Sequence, residues 1–368
     1  MNTPEPIKKL QPVIFLLFAL ALWCAGCGGG ATTATKTQTL VATGYTRESL
    51  DVLTRCQRGD TLYGERISDS HWVFSNDAGN TWTDTGSTAL TNPKSFQQCQ
   101  FLHGFKFLAT FDGRIFRTTP DDWSRWVEVS VPQRPAQTVN RPDMLVGNDT
   151  FLYYGTYFSG VDQNASVYRS ADDGATWVTI LATSNPDIHG IAIDPHQPSH
   201  LFVDVGDKGV PGAGLWFSPS NGDPGTFTHL SSNENGIDMV FHDTDVIMEG
   251  DGVTTAQVLI FHHADNPQPA TTDILLQGDP NPPDGKGSLQ GTGRCIALTK
   301  EGNLFFVTKL EGAPDRHRPG IWMAAGPALD QEVLLEEIDF VPLAKTLEVG
   351  PYLFVGNSRI RKPALSLQ

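Results

Sequence analysis

The sequence predicts an all-β fold, a β-propeller of seven four-stranded antiparallel blades. Three observations carry that prediction. An eight-residue phrase recurs at blade-sized intervals, apolar runs broken by turn residues fill the rest of the chain, and the last unit is one strand short. A six-bladed ring is the alternative.

The phrase comes first. "SNDAGNTW" from Ser75 and "SADDGATW" from Ser170 both read Ser-x-Asp-x-Gly-x-Thr-Trp, after the short apolar runs "HWVF" and "SVYR". "RIFRTTPDDWSRW" is an eroded copy with Thr119, Asp121, Trp123 and Trp126, and has Trp where Gly belongs. "GLWFSPSNGDPGTF" keeps Ser218, Gly222 and Phe227 but has no Asp at the expected place. Ser75, Thr119, Ser170 and Ser218 are 44, 51 and 48 positions apart, and the rhythm continues at "QVLIF" (257–261) and "GIWMA" (320–324).

Each unit also has an earlier strand pair, such as "DVLTRCQ-RGDTLYGE", "DMLVGNDTFLYYGT" and "TLEVGPYLFVG". β-Branched and aromatic residues at these intervals, with Gly, Asp, Asn and Pro between them, indicate strands and tight turns. No segment keeps a helical period. The seventh unit ends at "SRIRKPALS" without a fourth strand, while "TQTLVATGY" (37–45) is strand-like and has no other partner. A propeller avoids exposed edges by closing its ring, so this N-terminal strand is expected to complete blade seven.

Two lysines, an apolar run from Val13 to about Trp23 and a small-residue exit precede the domain. The run is shorter than the roughly 20 residues of a membrane span and reads as a secretory signal. Cys24-Ala25-Gly26-Cys27 resembles the bacterial lipobox, with Cys24 where that family usually has Leu. The resemblance implies a signal peptide over 1–26 and a lipidated Cys27; an ordinary cleaved signal is the alternative. Residues 27–37 read as a flexible tether and 38–368 as a single propeller domain. Gly28, rather than Asp, after the Cys implies the outer membrane of a Gram-negative envelope. The expected location is therefore the outer membrane, the cell surface or the periplasm, with membrane contact through the lipid alone.

The repeated phrase resembles the Asp-box, or BNR repeat, of sialidase-like and sortilin-like propellers. That resemblance implies a turn between the third and fourth strands, at the periphery. Ser75, Asp77, Gly79 and Trp82, with Ser170, Asp172, Gly174 and Trp177, then have structural roles. The carboxylates hold turn N–H groups, the glycines take left-handed backbone, and the Trp rings pack the turn. Sialidase chemistry is not implied. The family's Arg-Ile-Pro is missing, and no arginine lies between Arg169 and Arg294.

The whole chain carries a net charge of −15; loss of Lys8, Lys9 and Glu5 with the signal leaves 24 basic against 40 acidic residues, net −16. That balance argues against nucleic acid as a partner. It permits metal ions, cationic partners or simple solubility; the expected partner is a protein or carbohydrate ligand, and the expected state a monomer. Ligand sites of propellers normally lie at the axis, on the face built from blade-to-blade and second-to-third-strand connections, which are long here, as in 130–143, 157–166, 204–214 and 309–320. The candidates on it are Asp204, Asp207, Glu249 and Asp251, together with the basic cluster Arg316, His317 and Arg318. The acids suit two roles, a carboxylate pair of a glycoside hydrolase or a Ca²⁺ site, and are otherwise solvated loop residues. The basic cluster suits a uronate, a sulfate or an acidic partner, and a lyase if a Tyr stands nearby. A binding or assembly module is the expected function, and a polysaccharide-active enzyme is the alternative. No cofactor is required. Cys56 and Cys99 stand in the first strands of adjacent units, where an exported protein permits a disulfide; core filling and a soft-metal site are the other readings.

Overall fold

The computed structural model describes residues 40–88, 96–110, 114–129, 145–157, 164–185, 187–206, 211–231, 236–250, 257–262, 272–277, 289–291, 295–310, 320–326, 329, 331–338 and 345–368. Residues 1–39 lie outside this set, Cys27 among them.

Among the described residues all regular elements are strands, arranged as seven antiparallel blades in a ring. Blade one consists of Val52–Arg58, Thr61–Arg66, His71–Ser75 and Thr83–Thr88, joined in chain order from the innermost strand outward. The same order repeats in blades two to five, whose first strands are Phe96–Leu102, Leu145–Gly147, Ile188–Ile193 and Gly236–His242. In blade six the inner position is shared by two short segments, Leu289–Gly291 and Ala297–Leu298, both paired with Leu304–Leu310.

Blade seven has three C-terminal strands, Leu347–Val349, Tyr352–Val355 and Ser358–Arg361. Its fourth is Thr46–Ser49, with Thr46 opposite Arg361 and Ser49 opposite Ser358. The ring is closed by the N-terminal segment as expected, but by a later stretch of it. Leu40–Thr43, within the expected 37–45, pairs instead with Ala364–Leu367. The physical reason is composition: Thr46–Ser49 is an outermost strand whose four side chains are all exposed, so it has no apolar alternation to reveal it. Arg47 grips Glu336 of blade six through Nε at 2.9 Å and Nη2 at 2.6 Å, and the Tyr45 hydroxyl donates to the same carboxylate at 2.5 Å.

The core is a ring of clusters rather than one centre. Leu62, Val349 and Phe354 join blades seven and one; Ile247, Phe306 and Trp322 join five and six; Phe305, Ile321 and Leu353 join six and seven. Sheets in this arrangement bury both faces against neighbours, which explains near-continuous apolar runs such as "LFVDV".

The repeated turns join third to fourth strands. Ser75 Oγ donates to Asp77 Oδ1 and accepts the Gly79 N–H, both at 2.8 Å, while Asp77 accepts the Thr81 N–H at 2.9 Å and its hydroxyl at 2.7 Å. Ser170, Asp172, Gly174 and Thr176 repeat these bonds with distances of 2.8, 2.8, 2.8 and 2.6 Å. Ser218 keeps the glycine bond to Gly222 at 3.0 Å without any Asp. At Gly174, φ is +85° and an added Cβ would meet Val129 of the preceding blade at 2.4 Å, so the left-handed turn and the close approach both demand glycine.

Each turn is also latched to the blade before it. Arg359, Arg117 and Arg169, all on third strands, donate to the carbonyls of Ala78, Asp173 and Asn221 at 3.0, 2.6 and 2.8 Å. The latch accounts for the position of the box at blade interfaces: it is a joint as well as a turn.

Bonds from Thr81 and Thr176 hold the Asp77 and Asp172 carboxyls down at about 2, below the ordinary 3.8. A depressed folded value contributes stability above the unfolded value, which is lost as pH falls from about 4 towards 2. The D77N/D172N double variant should therefore be less stable than the parent at pH 7, and its melting temperature should fall less between pH 5 and pH 2.

Blade two departs from the pattern. Its turn is capped by Asp122, which accepts from the Ser124 and Arg125 N–H groups at 2.8 and 3.1 Å, rather than by Asp121, whose side chain is exposed. Trp123, in place of glycine, fills the joint to blade one, with ring centroids 4.9 Å from Trp72 and 5.2 Å from Tyr63. Beneath it, fully buried Lys106 stands where blades one, three, four and six have Leu62, Leu152, Leu201 and Leu304. Its ammonium donates to the carbonyls of Pro120 and Asp122 and lies 3.0 Å from the Trp123 ring centre. These contacts only partly offset burial, which draws Lys106 from 10.5 down to about 7. A lowered lysine makes stability rise with pH between about 7 and 10.5, because only the unfolded chain holds the proton there. K106L should remove that slope and raise stability at pH 7 by about 1–3 kcal/mol, read by thermal melts across pH 6–10.

Candidate functional site

The two faces of the ring differ in their connections. On one, first and second strands are joined by tight turns, Gly59–Asp60 in blade one, His103–Gly104 in blade two, Asp243–Thr244 in blade five and Gly350–Pro351 in blade seven. On the other, the chain runs from Gly155 to Ser166, from Val129 to Leu145 and from Leu310 to Gly320 before the next strand begins. Second strands end, and first strands begin, beneath this loop-rich face.

Of the candidate residues expected there, Asp207, Asp251, Arg316, His317 and Arg318 lie outside the described residues. Asp204 and Glu249 are not loop residues. Asp204 belongs to Leu201–Val205 and is fully buried; Glu249 belongs to Asp245–Gly250, opposite Asp238. Both stand three residues past the first buried side chain of a second strand, Leu201 or Val246. Glu65 stands at the same place after Leu62 in blade one. The shared signal is an acid at the end of "LYGE", "LFVD" and "VIME", which reads as a loop edge because the apolar run stops there.

Two of these acids face basic bulge residues of the first strand. The ladder of blade one skips from Thr54 to Cys56 and that of blade four from Ile188 to Gly190, so Arg55 and His189 are the extra residues. A bulge re-aims its side chain. Arg55 Nη2 lies 3.5 Å from Glu65 Oε2, and His189 Nδ1 lies 3.8 Å from Asp204 Oδ2. Burial pushes the Glu65 carboxyl up and the Arg55 guanidinium down, while their mutual attraction opposes both shifts. The Tyr157 ring lies 5.9 Å from His189, between blades three and four.

At the axis, all seven blades line a cavity of about 590 Å³. Cys56 and Cys99, with Cα atoms 5.1 Å apart, form a disulfide across the first strands of blades one and two in its wall. Cys295 is buried and also lies outside that bond. At the outer edge of blade one, Asp69, His71 and Asp84 bring ligand atoms within 4.8 Å of one another. Arg66 already donates to both carboxylates at 2.6 Å, so a guanidinium supplies the positive charge there.

The sequence matches no protein-family model and no curated protein. Solved structures share its fold at low identity. The extracellular domain of the BT4673 one component system of B. thetaiotaomicron superposes with a TM-score of 0.57 at 9% identity, over 87% of this chain and 40% of that one. This chain therefore spans well under half of that protein. An oligogalacturonate lyase in complex with manganese gives 0.56 at 9% identity, over 89% and 98% of the two chains. YCF48 bound to D1 peptide gives 0.53 at 12% identity, over 87% and 95%. These likenesses define the class of protein, a seven-bladed β-propeller, and leave its activity to the site.

Proposed function

We propose that this chain is an exported, lipid-anchored propeller that binds a protein or a glycan through its loop-rich face. The observation that carries the reading is the asymmetry of the ring: tight turns on one face, long connections on the other. Beneath the long connections, Arg55 is paired with Glu65 and buried His189 stands 3.8 Å from Asp204, an arrangement that stiffens a platform. The signal and Cys27 support export and anchoring, and the acidic balance supports a partner other than nucleic acid. Structures of this fold include an extracellular domain and a peptide-bound protein, which suits such a role.

A polysaccharide-active enzyme is the second reading, favoured by the grouping of Tyr157, His189 and Asp204 beneath the same face and by the fold shared with a lyase. Incubation with neutral, uronic and sulfated polysaccharides separates the two. Retention of one polysaccharide with neither new reducing ends nor unsaturated products supports a binding module. Release of either product replaces it with an enzyme, and the product type names a hydrolase or a lyase.

A further inference from the structure

We infer that the axial cavity is a binding site for a small amphipathic carboxylate, a molecule with an apolar body and an anionic head. Its volume of about 590 Å³ falls within the roughly 300–1,000 Å³ of small-molecule sites. Its wall mixes polar groups with apolar side chains that include Phe101, Ile193, Met239, Phe241, Leu298 and Leu347. Charge in the lining is confined to Arg55, Asp238 and Lys345.

The Gln57 amide donates to the Glu348 carbonyl at 2.9 Å, which sets the first strands of blades one and seven in step. Arg55 is the bulge residue of blade one, and Lys345 and Thr346 directly precede the first strand of blade seven. All three line the cavity. Arg55 Nε and Thr346 Oγ1 are buried without a hydrogen-bond partner, and the Thr346 side chain is over nine-tenths buried. Arg55 approaches Glu65 through Nη2, at 3.5 Å. Buried donors without acceptors are costly, and a carboxylate satisfies a guanidinium N–H and a hydroxyl together. Asp238, the acid in the lining, already accepts the Met239 N–H through Oδ1 at 2.9 Å. The apolar side chains of the lining suit an apolar body, and Arg55, Thr346 and Lys345 suit an anionic head.

This site is separate from the loop-face reading, and either stands if the other fails. The test titrates the purified protein with octanoate, below micelle formation, alongside 1-octanol and galacturonate, by calorimetry and thermal shift. Octanoate should bind saturably at one site and raise the melting temperature; octanol, lacking the head, and galacturonate, lacking the apolar body, should bind at least tenfold more weakly. The R55M/E65L variant keeps the buried pair neutral and folded, and its octanoate affinity should fall to that of octanol. V240W, which fills the cavity from the wall, should abolish binding in a protein that still melts cooperatively. Unsaturable or undetectable octanoate binding overturns the assignment. So does galacturonate or octanol binding as tightly as octanoate, or wild-type affinity in either variant.

Discussion

A chain beginning at Leu50 should melt well below the parent and should associate. Such a chain loses Leu40–Thr43 and Thr46–Ser49, the ladders they make with Ala364–Leu367 and Ser358–Arg361, and the grip of Arg47 and Tyr45 on Glu336. The eight paired residues and the shared carboxylate together contribute on the order of 5 kcal/mol, or about 10 °C in melting temperature. A second effect outlasts that loss: Ser358–Arg361 becomes an open strand edge, which recruits other chains. A synthetic peptide of residues 38–50 distinguishes this cause from general damage. Added in excess, it should raise the melting temperature towards the parent's and restore a monomeric profile in sedimentation. A truncated chain that melts like the parent, or ignores the peptide, would show that closure lies elsewhere.

Arg55→Ala should be the most damaging single substitution among the described polar residues. Glu65 is almost fully buried, and Arg55 is the cation beside it. Removing one partner of a buried pair costs about 3–5 kcal/mol, because the other charge stays behind without compensation. Glu65 can escape by holding its proton. Its carboxyl, already raised by burial, rises further without Arg55. A raised folded carboxyl means that the native state holds more protons than the unfolded one above the usual glutamate range, so stability falls as pH rises. The damage in R55A should therefore be smaller at pH 5 than at pH 8. R55M/E65L, which removes both charges at similar volume, should recover most of the loss and flatten the pH dependence. Urea midpoints at the two pH values report both effects. Equal losses at pH 5 and pH 8, or no recovery in the double variant, would remove the ion pair from the account.

How much of this was legible in the sequence depended on which residues carried a periodic apolar signal. The seven units were legible because every blade needs apolar strands and Gly- or Asp-rich turns at fixed spacing. The closing strand was misplaced by a few residues because "TRES" is polar throughout; its place is set by hydrogen bonds to "SRIR", which leave no mark on side-chain chemistry. Lys106 was invisible singly, yet alignment of second strands shows one lysine in a column of leucines. Asp204 and Glu249 were singled out as acids but assigned to loops, since a charge after an apolar run ordinarily marks the surface. Glu65 escaped notice for the same reason. What the sequence could not reveal was the bulge that turns Arg55 and His189 inward, because an extra residue in a ladder is a property of pairing, not of composition.

The central claim is that the loop-rich face, and not the face of tight turns, meets the partner. Two variants test it against whichever polysaccharide or envelope protein the native chain retains. In one, the stretch 158–163, which leaves buried Thr156 and Ala165 in place, is shortened to an Asn-Gly turn; in the other, Asn76 and Asn80 of the first repeated turn are replaced by Lys. Affinity of each for the retained partner, measured by biolayer interferometry beside its melting temperature, decides the matter. The account predicts at least a tenfold loss for the shortened variant, with melting close to the parent's, and unchanged binding for the box-turn variant. Full affinity in the shortened variant together with loss in the box-turn variant would place the interface on the opposite face and contradict it.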